Sequence, residues 1–181
     1  MIELSSPVPS PVFYGQLALM LVLAGYLDTR YHRIPNGVTF GGAVGGLVLQ
    51  SYFGGLEALG SGFLGLAIGF ALFIPLYARG AMGAGDVKLM AAVGAFLGPA
   101  ATLWAAAFTM IVGGVMGIAI LLRHRGLGPL ARRYLTTLNF LVVTGTLNHD
   151  GPRDGEAAAR RFPYALAIGL GTLWALVWLQ K

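Results

Sequence analysis

The chain has 181 residues, of which 56% are hydrophobic and only 10% are charged, with 28 glycines and no cysteine. A soluble domain carries about 25% charged residues, so this composition excludes an ordinary water-soluble fold. The lack of cysteine excludes disulfides, thiolate catalysis and cysteine-ligated zinc, and the three histidines are too scattered to predict a metal site. We therefore expect a single all-α domain, residues 1–181, embedded in a bilayer and packed through small residues.

The apolar stretches of the sequence predict six transmembrane helices. A bilayer core of about 30 Å needs roughly 20 apolar residues in helical form. One run is too long for a single span, and the Gly98–Pro99 pair divides it into a fourth and a fifth helix. The first stretch is taken as a retained span because residues 1–11 contain no Lys or Arg. The predicted spans are Val12–Leu27, Gly37–Phe53, Leu59–Ala78, the two parts of Val87–Leu122, and Phe162–Leu179.

All ten arginines fall in one set of predicted connections, Lys88 lies just beside that set, and Lys181 lies on the opposite side. With six spans both termini lie on one side, and the connections 28–36, 79–86 and 123–161 lie on the other. The positive-inside rule makes those three connections cytoplasmic and both termini non-cytoplasmic. The net charge of +5 therefore reflects topology and does not indicate nucleic acid as a partner. The arginines concerned are Arg30, Arg33, Arg79, Arg123, Arg125, Arg132, Arg133, Arg153, Arg160 and Arg161.

The long connection 123–161 contains apolar residues at helical spacing, which predicts a helix lying in the cytoplasmic interface. Such a helix either packs on the bundle or docks a substrate. The apolar positions are Leu130, Tyr134, Leu135, Leu138, Leu141 and Val142.

Two of the seven acidic residues, Asp28 and Asp86, adjoin apolar helices at the same predicted face. Acidic residues at membrane depth are costly and therefore tend to be functional. The helix that follows Asp86 reaches only Leu97, about 16 Å of helix or half of a bilayer core. We therefore expect Asp86 to be recessed below the cytoplasmic membrane surface, in a wet or protein-walled cavity.

Each aspartate also has a structural interpretation. Asp86 suits the N-cap of a helix that starts at Val87, and Asp28 is placed to pair with Arg30 or Arg33. Similarly, Pro35 and Asn36 suit the turn and N-cap before the second span.

The segment Gly80–Gly85 predicts irregular backbone before the fourth span. Gly83 and Gly85 permit positive φ and close approach of another chain. An extended substrate segment could then pair with free N–H and C=O groups of this segment, as in strand addition.

Two neighbouring carboxylates can hydrolyse a peptide bond without further groups. They cannot both ionise readily, so they share one proton. The ionised group takes a proton from water, and the protonated group donates to the carbonyl oxygen of the substrate. The pair titrates as a unit, so neither residue is assigned as acid or base. This chemistry requires no metal and no cofactor.

Three segments resemble motifs of the type IV prepilin peptidases. Asp28–Asn36 (Asp-Thr-Arg-Tyr-His-Arg-Ile-Pro-Asn) resembles the first-aspartate motif of that family. Gly83–Lys88 (Gly-Ala-Gly-Asp-Val-Lys) resembles its Gly-x-Gly-Asp motif, and Phe162–Gly169 is similar to the Pro-Tyr segment that opens the last helix. The predicted six-span layout also matches this family.

The resemblance implies an aspartic endopeptidase of the prokaryotic cytoplasmic (inner) membrane, with its active site facing the cytoplasm. Its substrate would be a prepilin or pilin-like protein, which loses a short basic leader while its hydrophobic helix stays in the bilayer. Asp28 and Asp86 would be catalytic. The supporting residues would be Arg30, Arg33, Pro35 and Asn36 in the first motif and Gly83, Gly85 and Lys88 in the second.

Longer family members carry an additional N-terminal region, often with paired cysteines, that is linked to methylation of the new N-terminus. We expect no such methyltransferase or zinc-binding region here. The chain is more similar to short, peptidase-only members that serve Flp or tight-adherence pili. Archaeal-type relatives that process preflagellins share the core motifs. Presenilin-like proteases share the Gly-x-Gly-Asp motif.

Two other function classes use the same features. A proton- or cation-coupled transporter also places acids beside glycine-interrupted helices, but no duplicated half is evident and both acids lie at one face. A non-catalytic pilus-assembly subunit would tolerate loss of either carboxylate.

Overall fold

The computed structural model describes residues 11–123 and 164–179. These residues form four α-helices and, within those ranges, no β-strand: α1 (Pro11–Tyr31), α2 (Asn36–Ala78), α3 (Ala84–Arg123) and α4 (Tyr164–Leu179). The expected all-α class is confirmed for this part of the chain. The interfacial helix expected in 123–161 lies outside it.

Three of the helices are long and apolar enough to cross a membrane, namely α1, α2 and α3 as far as Ala119. The outward faces of these helices carry large apolar side chains, such as Val22 at 68% exposure and Phe40 at 60%. Exposed apolar surface of this extent is typical of contact with lipid.

Both long helices are interrupted at a glycine. Gly55 in α2 (φ 66°, ψ −155°) and Gly98 in α3 (φ 72°, ψ 179°) leave the helical region. A positive φ is costly for any residue with a Cβ, which explains why glycine occupies both positions. The breaks fall where the sequence predicts the connections between the second and third and between the fourth and fifth spans.

The helix α2 folds back on itself at Gly55. A Cβ added to Gly62 would lie 3.0 Å from Leu47 Cδ2 and 3.4 Å from Gln50 Cγ. A straight helix would separate Gln50 from Gly62 by about 18 Å. We call the two parts of this hairpin the first arm of α2 (36–54) and the second arm of α2 (56–78).

The described residues divide between two compact units. One comprises Met1–Gly113 and Pro163–Lys181, and the other, Gly114–Phe162, is described only over 114–123, the last part of α3. Asp28 and Asp86 both lie in the first unit, in which α1 contacts both α2 and α4.

The first part of α3, residues 84–97, lies at the centre of the first unit. From Asp86 to Leu97, all side chains except that of Lys88 are buried. The ring of Phe96 packs edge-on against Phe13 of α1 (centroids 5.4 Å apart) and beneath Gly46 of α2. This segment is therefore surrounded by its neighbours.

Glycines allow the backbones of α2 and α3 to touch. A Cβ at Gly65 would collide with the carbonyl oxygen of Gly94, and one at Gly94 would collide with that of Gly65. A Cβ at Gly69 would lie 2.5 Å from the carbonyl oxygen of Met90. In Gly65–Gly69 and Gly94–Gly98 two glycines stand four residues apart, a spacing typical of close helix packing in membranes.

The buried side chain of Gln50 stabilises the end of the first part of α3. Its Nε2 donates a hydrogen bond to the carbonyl oxygen of Phe96 at 2.6 Å. A helix leaves its last carbonyl groups without a donor from within the helix, and the break at Gly98 creates such an end. Gln50 supplies the missing donor, a role that its place in an apolar stretch did not reveal.

We expect Gly65→Ala to destabilise the protein, because its methyl group would meet backbone atoms that cannot move aside. The loss should be about 1–3 kcal/mol, the usual range for overpacking, and thermal unfolding of the purified protein in detergent measures it. Gly60→Ala in the same arm is the control, since no atom lies within 4 Å of its added Cβ. Equal stability of the two variants would contradict the proposed backbone contact.

Candidate active site

Asp28 lies in the last turn of α1, not after it as the sequence suggested, because α1 continues to Tyr31. His32 ends the helix in the left-handed region (φ 51°), and its amide donates to the carbonyl oxygen of Asp28 at 2.8 Å. The Asp28 side chain is only 8% exposed. Its Oδ2 accepts a hydrogen bond of 3.1 Å from the amide of Ala165 in α4.

Asp86 lies at the start of α3, and the expectation that it caps a helix beginning at Val87 is wrong. The helix begins at Ala84, so Asp86 is its third residue. Its side chain is 6% exposed and turns back, so that Oδ2 accepts a hydrogen bond of 3.1 Å from the amide of Gly83. The Asp86 amide in turn donates to the carbonyl oxygen of Gly83 at 3.1 Å. The bond from the Gly83 amide to the Asp86 carboxylate is one half of a capping box, and it places a carboxylate near the positive end of the helix dipole.

The fold brings the two aspartates together. Asp28 and Asp86 are close enough for their carboxylates to interact electrostatically, although they come from different helices. In each residue one carboxylate oxygen is held by a main-chain amide. The Oδ1 atom of Asp86 is buried and has no hydrogen-bond partner within the described residues.

The glycines of the second motif act through close approach. Gly83 and Gly85 do not adopt the positive φ that the sequence suggested; in this connection Gly80 does (φ 71°). A Cβ at Gly83 would lie 3.2 Å from Asp86 Oδ2, and one at Gly85 would lie 3.1 Å from Ile34 Cβ. Both glycines are therefore needed for space beside Asp86 and the first motif.

Strand addition along the connection between α2 and α3 finds little support. The amides of Arg79, Gly80 and Ala81 donate to carbonyl groups of the last turn of α2, and the amide of Gly83 donates to Asp86. These N–H groups are therefore not available to an extended substrate segment.

A side-chain hydrogen bond joins the two motifs. Lys88 Nζ donates to Asn36 Oδ1 at 2.9 Å and lies 5.7 Å from the centre of the Phe40 ring. Pro35, and not Asn36, occupies the N-cap position of α2, with extended backbone (φ −61°, ψ 142°). Asn36 is thus free to bind Lys88, a pairing across 52 positions that spacing alone does not predict.

The arginines of the first motif take no part in the hydrogen bonds described above for the two aspartates. Arg30 and Arg33 are exposed, and the partner that the structure gives to the Asp28 carboxylate is the amide of Ala165. Ala165 lies in the segment 162–169 that resembles a family motif, but its residue type indicates no role there. A main-chain donor leaves no signal in residue type, so only the fold reveals it.

The described residues contain no group of three or more His, Asp or Glu side chains that could hold a metal ion. What they do contain is a buried pair of carboxyl groups supported by two amides. Such a pair can share a proton and exchange it with a bound water or a carbonyl oxygen.

Three curated proteins named "Prepilin leader peptidase/N-methyltransferase" are similar to this chain. The protein of Myxococcus xanthus (strain DK1622) is 32% identical over 120 residues, which is 62% of this chain and 36% of the relative. That of Aeromonas hydrophila is 33% identical over 113 residues (59% and 39%). That of Bacillus subtilis (strain 168) is 31% identical over 145 residues (77% and 53%).

The chain thus spans between about a third and a half of the length of these relatives. Their name includes a second activity, and the expectation that this chain lacks methyl transfer stays a prediction. No solved structure matches the chain. The sequence model of the type IV leader peptidase family matches residues 16–118, a range that includes both aspartates and more than half of the sequence, and the chain therefore belongs to that family.

Proposed function

We propose that this protein is a membrane aspartic endopeptidase, which removes the short basic leader from prepilins or pilin-like proteins at the cytoplasmic face of the membrane. The observation that carries the proposal is the pair of buried aspartates, Asp28 and Asp86, which come from separate helices and are each held through one carboxylate oxygen by a main-chain amide. Membership of the type IV leader peptidase family supports the same reaction and does not favour the transporter alternative.

The proposed reaction uses one water molecule and one shared proton. The ionised carboxylate takes a proton from the water, whose oxygen attacks the carbonyl carbon of the scissile peptide bond. The protonated carboxyl group donates its proton to the carbonyl oxygen, which gives a tetrahedral intermediate. Collapse of the intermediate breaks the C–N bond, and the leaving amine takes up a proton from the pair. The Oδ1 atom of Asp86, which has no hydrogen-bond partner among the residues that the structure describes, is suited to bind the water or the carbonyl oxygen.

In the proposed reaction the amides of Ala165 and Gly83 orient the two carboxyl groups. Each donates to one oxygen of an aspartate and so leaves the other oxygen of that carboxylate for substrate and water. Because amides of the main chain cannot change rotamer, they hold both carboxyl groups in fixed orientations before substrate binds.

In the proposed topology the chain crosses the membrane six times: once with α1, twice with α2, twice with α3 and once with α4. The 43 residues of α2 would form a straight helix of about 65 Å, twice the thickness of a bilayer core, so its hairpin suits two crossings. The first part of α3, 84–97, is only about 21 Å long. Asp86 at its start would then lie below the cytoplasmic surface, in a recess that water enters from that side.

We expect Asp28→Asn and Asp86→Asn each to reduce cleavage of a co-expressed prepilin by at least about 10²-fold, because an amide cannot exchange the shared proton. Processing is measured as the size shift of the substrate in membranes. Glu57→Gln changes an exposed acid far from the pair and should cleave normally. If either aspartate variant folds, as shown by its thermal unfolding, and still processes the substrate normally, the mechanism is wrong.

The chain contains no cysteine, so single cysteines can report its orientation. We expect Arg79→Cys, in the connection before α3, to react with a membrane-impermeant maleimide only after the cells are opened. Glu57→Cys, beside the break in α2, should react in intact cells. The reverse pattern would place the aspartates at the outer face and contradict the proposed site of leader removal.

Replacement of Lys88 by Met should lower activity about 2- to 10-fold, because it removes a hydrogen bond that ties the first motif to the second. Such a bond between partly exposed groups contributes about 1 kcal/mol. Lys88→Arg keeps a donor and should retain most of the activity. Equal rates for Met and Arg would show that the bond to Asn36 does not position the site.

A further inference from the structure

The amide of Ala165 holds the first aspartate, so this bond depends on where α4 lies. The amide donates to Asp28 Oδ2 at 3.1 Å across 137 positions of sequence. It is one of the first four N–H groups of α4, which have no acceptor within their own helix. A main-chain donor cannot reach its acceptor by a change of rotamer. The bond therefore forms only if α4 as a whole has the correct position and rotation.

A contact with the main chain of α3, beyond the break at Gly98, holds α4 in place. A Cβ added to Gly171 would collide with the hydroxyl oxygen of Thr109, and it would lie 2.5 Å from the nitrogen and 2.7 Å from the Cα of the same residue. Both residues are buried. The nitrogen and the Cα belong to the main chain, which cannot move aside as a flexible side chain does. Glycine at position 171 thus lets the two helices touch, as small residues do between membrane helices.

An aromatic stack lies beside this contact. The ring of Phe108, the residue before Thr109, is parallel to that of Trp174 within 5°, with the ring centroids 4.8 Å apart. The ring of Trp104 lies 5.9 Å from that of Phe108 and 6.3 Å from that of Trp178. Aromatic pairs have preferred relative orientations, so the stack limits the rotation of α4 about its axis.

The contact at Gly171 and the bond to Asp28 belong to one short helix. Gly171 is six residues after Ala165, which is about 9 Å along the helix, and α4 contains no proline. A methyl group at Gly171 would need to retreat by about 1 Å to reach ordinary carbon contact distances of about 3.5–4.0 Å. The bond of the Ala165 amide has less slack than that, because an N–H···O separation of about 3.6 Å is no longer a hydrogen bond. A shift of α4 at Gly171 therefore breaks the bond to Asp28.

We propose that Gly171 is a positioning residue, because its main-chain contact with α3 sets the position of α4 and thereby brings the Ala165 amide to Asp28. The aromatic stack beside this contact fixes the rotation of α4. This inference rests on the proposed peptidase function. Because Gly171 acts through Asp28 and not on the substrate, its replacement should affect the chemical step and leave substrate binding unchanged.

The first test is cleavage of a prepilin by the purified full chain in detergent, with kcat and KM determined separately. We expect Gly171→Ala to lower kcat on the order of 10-fold, with KM within about 2-fold of the original. Gly169→Ala is the matched control in the same helix, since no atom lies within 4 Å of its added Cβ. This control should leave both constants unchanged.

The second test determines whether Gly171 acts through the Ala165 amide. Lactic acid incorporated in place of Ala165 replaces the N–H group by an ester oxygen and keeps the methyl side chain, so it removes the bond to Asp28. We expect it to lower kcat about as much as Gly171→Ala, and the two changes together should lower kcat less than about 2-fold further than either alone. The corresponding hydroxy acid at Leu166 should leave kcat unchanged, because within the described residues the Leu166 amide makes no bond to either aspartate.

Phe108→Leu takes the place of Gly171→Ala in both tests if the latter does not fold. It removes the ring stacked on that of Trp174 and should lower kcat about 3-fold, with no additional effect in the ester variant. Phe63→Leu is its control and should cleave normally, because Phe63 in the second arm of α2 is 54% exposed.

The inference is overturned if folded Gly171→Ala, or Phe108→Leu in its place, keeps the original kcat or changes KM alone. It is also overturned if the ester at Ala165 has no effect, or if its effect and that of the partner substitution multiply.

The aspartate variants separate this outcome from failure of the proposed function. If Asp28→Asn and Asp86→Asn are inactive while Gly171→Ala is normal, only the role of Gly171 is lost. If the aspartate variants still cleave, the peptidase mechanism itself is lost.

Discussion

Backbone contact between α2 and α3, at Gly65 and Gly94, is the constraint on which the rest of the structure depends. Carbonyl groups stand where side chains would otherwise lie, so the two helices approach more closely than Leu or Val would permit. This closeness buries the first part of α3 on all sides. Asp86 stands at the start of that buried segment, about two turns from the contact at Gly94.

The same packing explains why the aspartates are held by main-chain groups. A charged partner such as arginine would itself need hydration or a second counter-ion at this depth. The amides at helix starts have no partner within their helices, and they bring a favourable dipole without a formal charge. Asp28 uses the start of α4 and Asp86 uses the residue before α3. The site is therefore built where helices begin and end, at one end of the bundle.

Much of this arrangement follows from patterns along the chain. The helix breaks at Gly55 and Gly98 fall where apolar runs exceed a bilayer thickness and glycine interrupts them. Asp28 and Asp86 stand out because acids are rare in such runs. The boundaries near the site were less predictable: α1 extends through Asp28, and α3 begins before Asp86. Glycine-rich sequence before Asp86 suggested irregular backbone, but a capping hydrogen bond extends the helix by one turn.

The sequence by itself determined the all-helical class, the apolar segments and the two aspartates, because hydrophobic length and misplaced charge are local properties. Only the tertiary structure decided which groups meet: Ala165 with Asp28, Lys88 with Asn36, and Gln50 with Phe96. These partners are separated by many residues, and two of the three bonds use the main chain, which carries no residue-specific signal. They form because the fold packs distant segments side by side. The first two bonds lie at the end of the bundle that holds the aspartates, and the third lies beside the breaks at Gly55 and Gly98.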